Sequence, residues 1–325
     1  MPISISGGVQ LSGPVLLDPT GGSSPSPSGG GFQGSNYGYS SAGNNPSINA
    51  FLNVIDKFPF ASAGNATDVG DLTIQLLDVS GQSSSSSGYN SGGRGSPGSV
   101  NTIQKIDFSS DINSTDVGTL TLARHRLTGQ SSTTHGYSSG GEDDPQQMNI
   151  IDKFPFANEG SASDVGDITV GREWSAGQSS SVSGYNSGGA TAAVNVIDKF
   201  SFSTDGNATD VGDLLQTTVY SSGGQSSLVS GYVSGGYIGN GNGTNVIQKF
   251  PFSNDSNATD VGDLTNTTEV CAGQSSTSFG YNTGGMLPSG SRSNVIDKFP
   301  FASDGNATDV GDLTVARRGH AGQQY

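Results

Sequence analysis

Short apolar runs recur along this chain at a nearly fixed spacing. Residues 53–60, NVIDKFPF, are typical: β-branched and aromatic side chains crowd together between turn-forming residues, the signature of a strand. A second pattern, DVGDLT, follows each run, and serine and glycine fill the intervals as turn formers. No long stretch keeps the 3.6-residue period of an amphipathic helix, so the pattern predicts an all-β chain.

The spacing is itself the main signal. The tripeptide DVG begins at Asp68, Asp116, Asp164, Asp210, Asp260 and Asp309, at intervals of 48, 48, 46, 50 and 49 residues. Eleven residues before each aspartate stands a lysine (Lys57, Lys105, Lys153, Lys199, Lys249, Lys298), and these are all the lysines of the protein. Downstream come a GQ pair, a GY pair and a glycine doublet. The sixth copy stops at AGQQY, and its missing GY half appears near the other terminus as Gly38-Tyr39.

Each copy reads as four strands: the GQSS segment, the GY segment, NVIDKFPF and DVGDLT. Four strands per 40–50 residues is the size of a β-propeller blade. Six blades are expected, over residues 319–325 with 35–73, then 78–121, 126–169, 174–217, 221–267 and 270–316. The C-terminal GQ strand would complete the first blade, closing the ring and removing sheet edges. Residues 1–34 carry no copy of the unit; they read as an extended arm with an apolar start at Val9, Leu11, Val15, Leu16 and Leu17.

The stretches RRGHAGQ from Arg317, GYSSGG from Gly136 and NVIDKF from Asn294 resemble the kelch repeat, although the tryptophan usual in its fourth strand is replaced by DVGDL. More closely, the whole unit resembles kelch-like repeats of structural proteins of tailed phages, notably those infecting cyanobacteria. That resemblance covers residues 35–325. It implies a virion setting in a head, neck or tail appendage, other virion proteins as partners of the arm, a homo-oligomeric assembly and a host-surface glycan or protein as a further partner. A free-standing glycan-binding or adaptor propeller is the alternative.

Composition changes the picture in two ways. With 51 glycines and only 31% hydrophobic residues the chain would lean toward disorder if it lacked the repeat. A formal charge of −15 argues against nucleic-acid binding, which needs cations to displace counterions. No run approaches the ~18 apolar residues of a membrane span, and no secretion signal is expected.

Candidate chemistry is sparse. Cys271 is the single cysteine, which rules out a disulfide framework, and His125, His135 and His320 fall at different positions of the unit. The tryptophan-containing boxes of sialidase propellers cannot be built with Trp174 alone, nor does a copper-oxidase constellation fit. The chain is therefore expected to be no enzyme, with no cofactor and no assigned metal site. NATDVGD offers oxygen ligands that suggest calcium, but the calcium-loop motif is absent and Asp71 becomes Thr119 in copy two, so turn capping is favoured. The recurrent tyrosines and phenylalanines read as packing between blades and the doublets as positive-φ positions. A cation at a strand position is expected to pair with a nearby acid, and for Lys57 in blade one that acid is Asp68.

Copies differ most in two connections, between strands two and three and between strands four and one. In an antiparallel meander both emerge on the same face. That face, with Arg94, Arg126, Glu142, Trp174, Tyr220, Tyr237 and Arg292, is the expected partner-binding surface. Ring closure yields a direct test: deleting residues 319–325 should lower the melting temperature and broaden the transition followed by far-ultraviolet circular dichroism. An unchanged melt would argue against a terminal strand that closes the ring.

Overall fold

The computed structural model describes residues 33–45, 50–190, 194–216, 222–239 and 243–325. The arm residues Val9, Leu11, Val15, Leu16 and Leu17, and Tyr220, lie outside them. The described chain forms six small antiparallel sheets arranged as the blades of a β-propeller, with no helix. Among the described residues no helix is long and apolar enough to cross a membrane.

Blade two shows the plan. Ser80–Ser83 is innermost, followed outward by Ser87–Ser91, Thr102–Asp107 and Thr115–Thr119, each antiparallel to its neighbour. In blade one the inner strand is the C-terminal Ala321–Gln324, paired with Tyr37–Ser41 in the register Gly38↔Gln324 to Ser41↔Ala321. The ring is thus closed by hydrogen bonds between the two ends of the repeat region.

What holds neighbouring blades together is written into the repeated residues. At the axis, a Cβ on Gly81 would overlap the carbonyl oxygen of Gly322, and the same holds for Gly129 on Gly81 and onward round to Gly322 on Gly273. Only glycine lets the inner strands approach this closely. Beside it, each buried glutamine donates to the next blade's tyrosine carbonyl: Gln82 to Tyr137 at 3.0 Å, Gln130 to Tyr185 at 3.0 Å and, across the seam, Gln274 to Tyr39 at 3.1 Å and Gln323 to Tyr89 at 3.3 Å. Farther out, the tyrosine of one blade stacks on a phenylalanine of the next, with ring centroids 4.6 Å apart for Tyr281–Phe60 and 4.8 Å for Tyr89–Phe156. The apolar core is accordingly split into clusters that straddle blades, such as Tyr89, Ile103, Leu120, Leu127 and Phe154. With these tyrosines buried, none offers a face to a ligand.

The loops between third and fourth strands serve the same purpose. Asn113 Oδ1 accepts from the Asp71 amide at 3.0 Å and Asn65 Oδ1 from the Asp312 amide at 3.1 Å, so the asparagines of the NST and NAT triplets tie one blade to another. Asp68 Oδ1 caps its own turn by accepting from the Gly70 amide at 3.1 Å. The doublets take positive φ, 64° and 109° at Gly92 and Gly93.

The lysines correct an expectation. Lys57 pairs with Asp111 of the next blade at 2.9 Å, not with Asp68. Lys105, Lys153, Lys199 and Lys249 likewise reach Glu159, Asp205, Asp255 and Asp304. The register explains it. Lys57 stands opposite Thr67, and Asp68 opposite Asp56, so strand alternation places Asp68 on the other face from the lysine. At the sixth interface the acid's place is taken by Ala63, and Lys298 lies over the Phe279 ring at 3.9 Å instead. Such half-exposed pairs contribute about 0–1 kcal/mol each.

A buried set lies deeper in the same interfaces. Arg317, Arg124 and Arg172, fully buried, pair with Asp56, Asp152 and Asp198 of the following blade at 2.7, 2.8 and 2.9 Å. Where Leu76 replaces the arginine, the next blade carries Gln104, whose Oε1 still accepts from the Thr73 amide at 2.8 Å. Asp297 breaks the rule: Thr268 occupies the arginine position, yet the buried carboxylate remains, accepting from the Thr265 amide at 3.0 Å. Burial raises its pKa. Because the folded-state value lies above the unfolded one, ionisation favours unfolding, so the cost is absent in acid and grows as pH rises past the unfolded value. Asp297→Gln should therefore stabilise the protein at pH 7 by about 1–2 kcal/mol in urea titrations, with the gain shrinking toward pH 4.

Candidate functional site

Both variable connections do lie on one face, and they are hydrogen-bonded to one another. The amides of Leu77 and Arg94 exchange bonds at 2.9 and 2.7 Å, and those of His125 and Glu142 at 2.9 Å in both directions. Glu173↔Ala190, Glu269↔Met286 and Asn44↔Arg318 repeat the bridge in other blades. The inner hairpins of these five blades are thereby prolonged beyond their paired strands.

The residue three positions before each GQ pair occupies a special place. Asp78, Arg126, Trp174, Val270 and Gly319 all adopt left-handed φ, between 54° and 62°. For a side chain other than glycine this conformation costs about 1–2 kcal/mol. What offsets it is a circular set of backbone bonds: the Asp78 amide donates to Gly319 at 2.7 Å, Arg126 to Asp78 at 2.8 Å, Trp174 to Arg126 at 2.8 Å and Gly319 to Val270 at 3.0 Å. The sixth position, Ser221, is outside the described residues. The backbone is therefore repeated around the axial mouth while the side chain changes from acid to base, indole and aliphatic.

Off this ring opens a cavity of about 330 Å³. Phe51, Leu77 and Val270 supply apolar wall, Trp174 an indole, and Arg94, Arg126 and Arg318 three guanidiniums beside Asp78. Of the seven arginines, Arg124, Arg172 and Arg317 are consumed in the buried interblade pairs; the other four, Arg94, Arg126, Arg318 and Arg292, belong to this face. Arg126 is the hub. It stacks on Trp174 at 3.9 Å, contacts Glu142 through Nη1, and reaches Glu173 at 2.9 Å and Asp78 at 3.4 Å. Burial pushes the Glu142 carboxyl up to about 7 against the pull of Arg126, and Glu173 adds to the rise. Burial likewise raises Asp78. Burial and then Arg126 hold the His125 imidazole down at about 4, so it is neutral at physiological pH.

Of the residues expected from the sequence, Arg94, Arg126, Glu142 and Trp174 come together here. Arg94 also reaches Asp144 at 3.3 Å. Tyr237 and Arg292 share the face without lining the cavity: Tyr237 bridges to Gly243 and Arg292 to Met286 within their own loops. Phe51, Asp78, Glu173, Val270 and Arg318 were not anticipated. Counting back three residues from each GQ pair would have found Asp78 and Val270.

No protein-family model matches the chain, and no curated protein matches it at a significant level, so function has to be read from this face. The hub makes one firm demand. Replacing Arg126 by methionine leaves three carboxylates crowded together, and should cost about 3 kcal/mol at pH 7. Burial raises Glu142 and Asp78, which repel less once protonated, so the gap from wild type in urea unfolding should narrow at pH 5; a pH-independent difference would mean that the loss is packing alone.

Proposed function

We propose that the protein works by binding rather than catalysis, with the variable-loop face as its recognition surface. The observation that carries this is the ring of left-handed positions, whose backbone is uniform and whose side chains are not. A scaffold that accepts strained backbone at one repeated position, and then varies the group held there, is organised for display. The cavity beside it combines aromatic and apolar wall with guanidiniums and carboxylates, the mixture that fixes a polar ligand while excluding water from one side of it.

Gln33 and Gly34 lie on the opposite face. The Gln33 side chain donates to Ser226 at 3.0 Å and the Gly34 amide to Ser275 at 2.9 Å, at the ends of inner strands remote from the variable loops. An arm leaving there would anchor the propeller with its variable face outward. Together with the kelch-like repeats resembling those of tailed-phage structural proteins, this supports a component of a virion head, neck or tail appendage that meets a host-surface glycan or protein. A glycan-binding or adaptor propeller outside any virion uses the same face.

Both readings are tested with purified protein on a glycan array, beside co-sedimentation with particles from the source culture. Sugar binding that is lost in Trp174→Ala and weakened in Arg94→Ala supports a glycan-reading face. Co-sedimentation without sugar binding supports a virion part. Binding of either kind that survives both substitutions together with Tyr237→Ala would sink the assignment of this face.

A further inference from the structure

Behind Arg94 and Arg126, which line the cavity, His125, Glu142 and Asp144 place one imidazole nitrogen and two carboxylate oxygens within 4.8 Å of one another. Their backbone is fixed. His125 and Glu142 are a directly bridged antiparallel pair, so their side chains share a face, and the turn that follows Glu142–Asp143 brings the Asp144 carboxylate back beside them. His125 and Glu142 are buried while Asp144 is exposed, leaving a way in from solvent.

Two observations point to a missing partner. First, His125 Nε2 is buried and makes no hydrogen bond, although Glu142 Oε1 lies 3.3 Å away. The other ring nitrogen is held by Ser99 Oγ at 3.1 Å, so the imidazole is oriented with a vacant nitrogen toward a carboxylate. A distance of 3.3 Å with poor alignment suits no hydrogen bond, yet it is the edge length of a tetrahedral site with bonds of about 2.0–2.1 Å. Second, among the described residues the ion pairs here join Arg94 to Asp144 and Arg126 to Asp78, Glu142 and Glu173, so carboxylates outnumber the guanidiniums paired with them.

We propose that His125, Glu142 and Asp144 form a binding site for a divalent transition metal of zinc or cobalt type, with water completing the coordination. One nitrogen and two oxygens suit such an ion better than calcium or magnesium, which take oxygen ligands alone. Ser99 on the imidazole and Arg126 on the Glu142 carboxylate act as the outer hydrogen-bonding partners that such ligands keep. The ion would clamp the loop leading into blade three to the loop between that blade's second and third strands, and so fix one wall of the cavity.

Cobalt(II) is the probe, because its visible absorption distinguishes four-coordinate binding from the hexaaqua ion. Titration of the intact protein should give one equivalent with intense four-coordinate bands, displaced by zinc. Asp144→Asn, at an exposed position, should keep the fold by circular dichroism and weaken binding more than about 10-fold. His125→Gln should abolish the bands. No bands at millimolar cobalt, or bands unaltered by Asp144→Asn, overturns the site. The readout needs no recognition partner, so its outcome is separate from that of the face as a whole.

Discussion

Everything in this molecule depends on how closely six inner strands can approach one axis. The glycine of each GQ pair sits against the carbonyl oxygen of the same glycine in the preceding blade, with no room for a Cβ. That approach brings each adjacent glutamine within reach of the next blade's tyrosine carbonyl. It also sets the blade separation at which tyrosine and phenylalanine rings stack. The low hydrophobic content is tolerable for the same reason. Interfaces here are satisfied largely by polar groups with fixed partners, so serine and glutamine do work usually given to leucine, as long as every buried polar group finds its complement.

Where that complement fails, the chain shows how tightly its blades are coupled. Arginine and aspartate occur together across an interface, and leucine comes with glutamine. Asp297 without an arginine and Lys298 facing Ala63 are the two places where the partners have gone out of step, and both lie in blade six. Neither opens the ring, because each is one contact among several at its interface.

The number of blades, the strand order and the aromatic contacts were legible in the sequence, since each follows from lining up copies of one unit. Lys57 was misassigned for the same reason: comparison of copies keeps every residue beside its own neighbours, whereas the pair Lys57–Asp111 spans two copies. The variable loops announced themselves, but not their centre. At Asp78, Arg126, Trp174 and Val270 the conserved feature is a backbone angle, and residues so different share no visible pattern. His125 looked isolated because only the hairpin bridge brings it to Glu142 and Asp144.

The contacts of Gln33 and Gly34 with the ends of inner strands have a mechanical meaning. Tyr37–Ser41 runs from that face toward the variable loops, and its pairing with Ala321–Gln324 closes the ring. A tension applied through the N-terminal side and resisted at the opposite face acts along these strands, perpendicular to their hydrogen bonds. The seam would then be loaded in shear, its bonds sharing the force together, rather than peeled open one bond at a time.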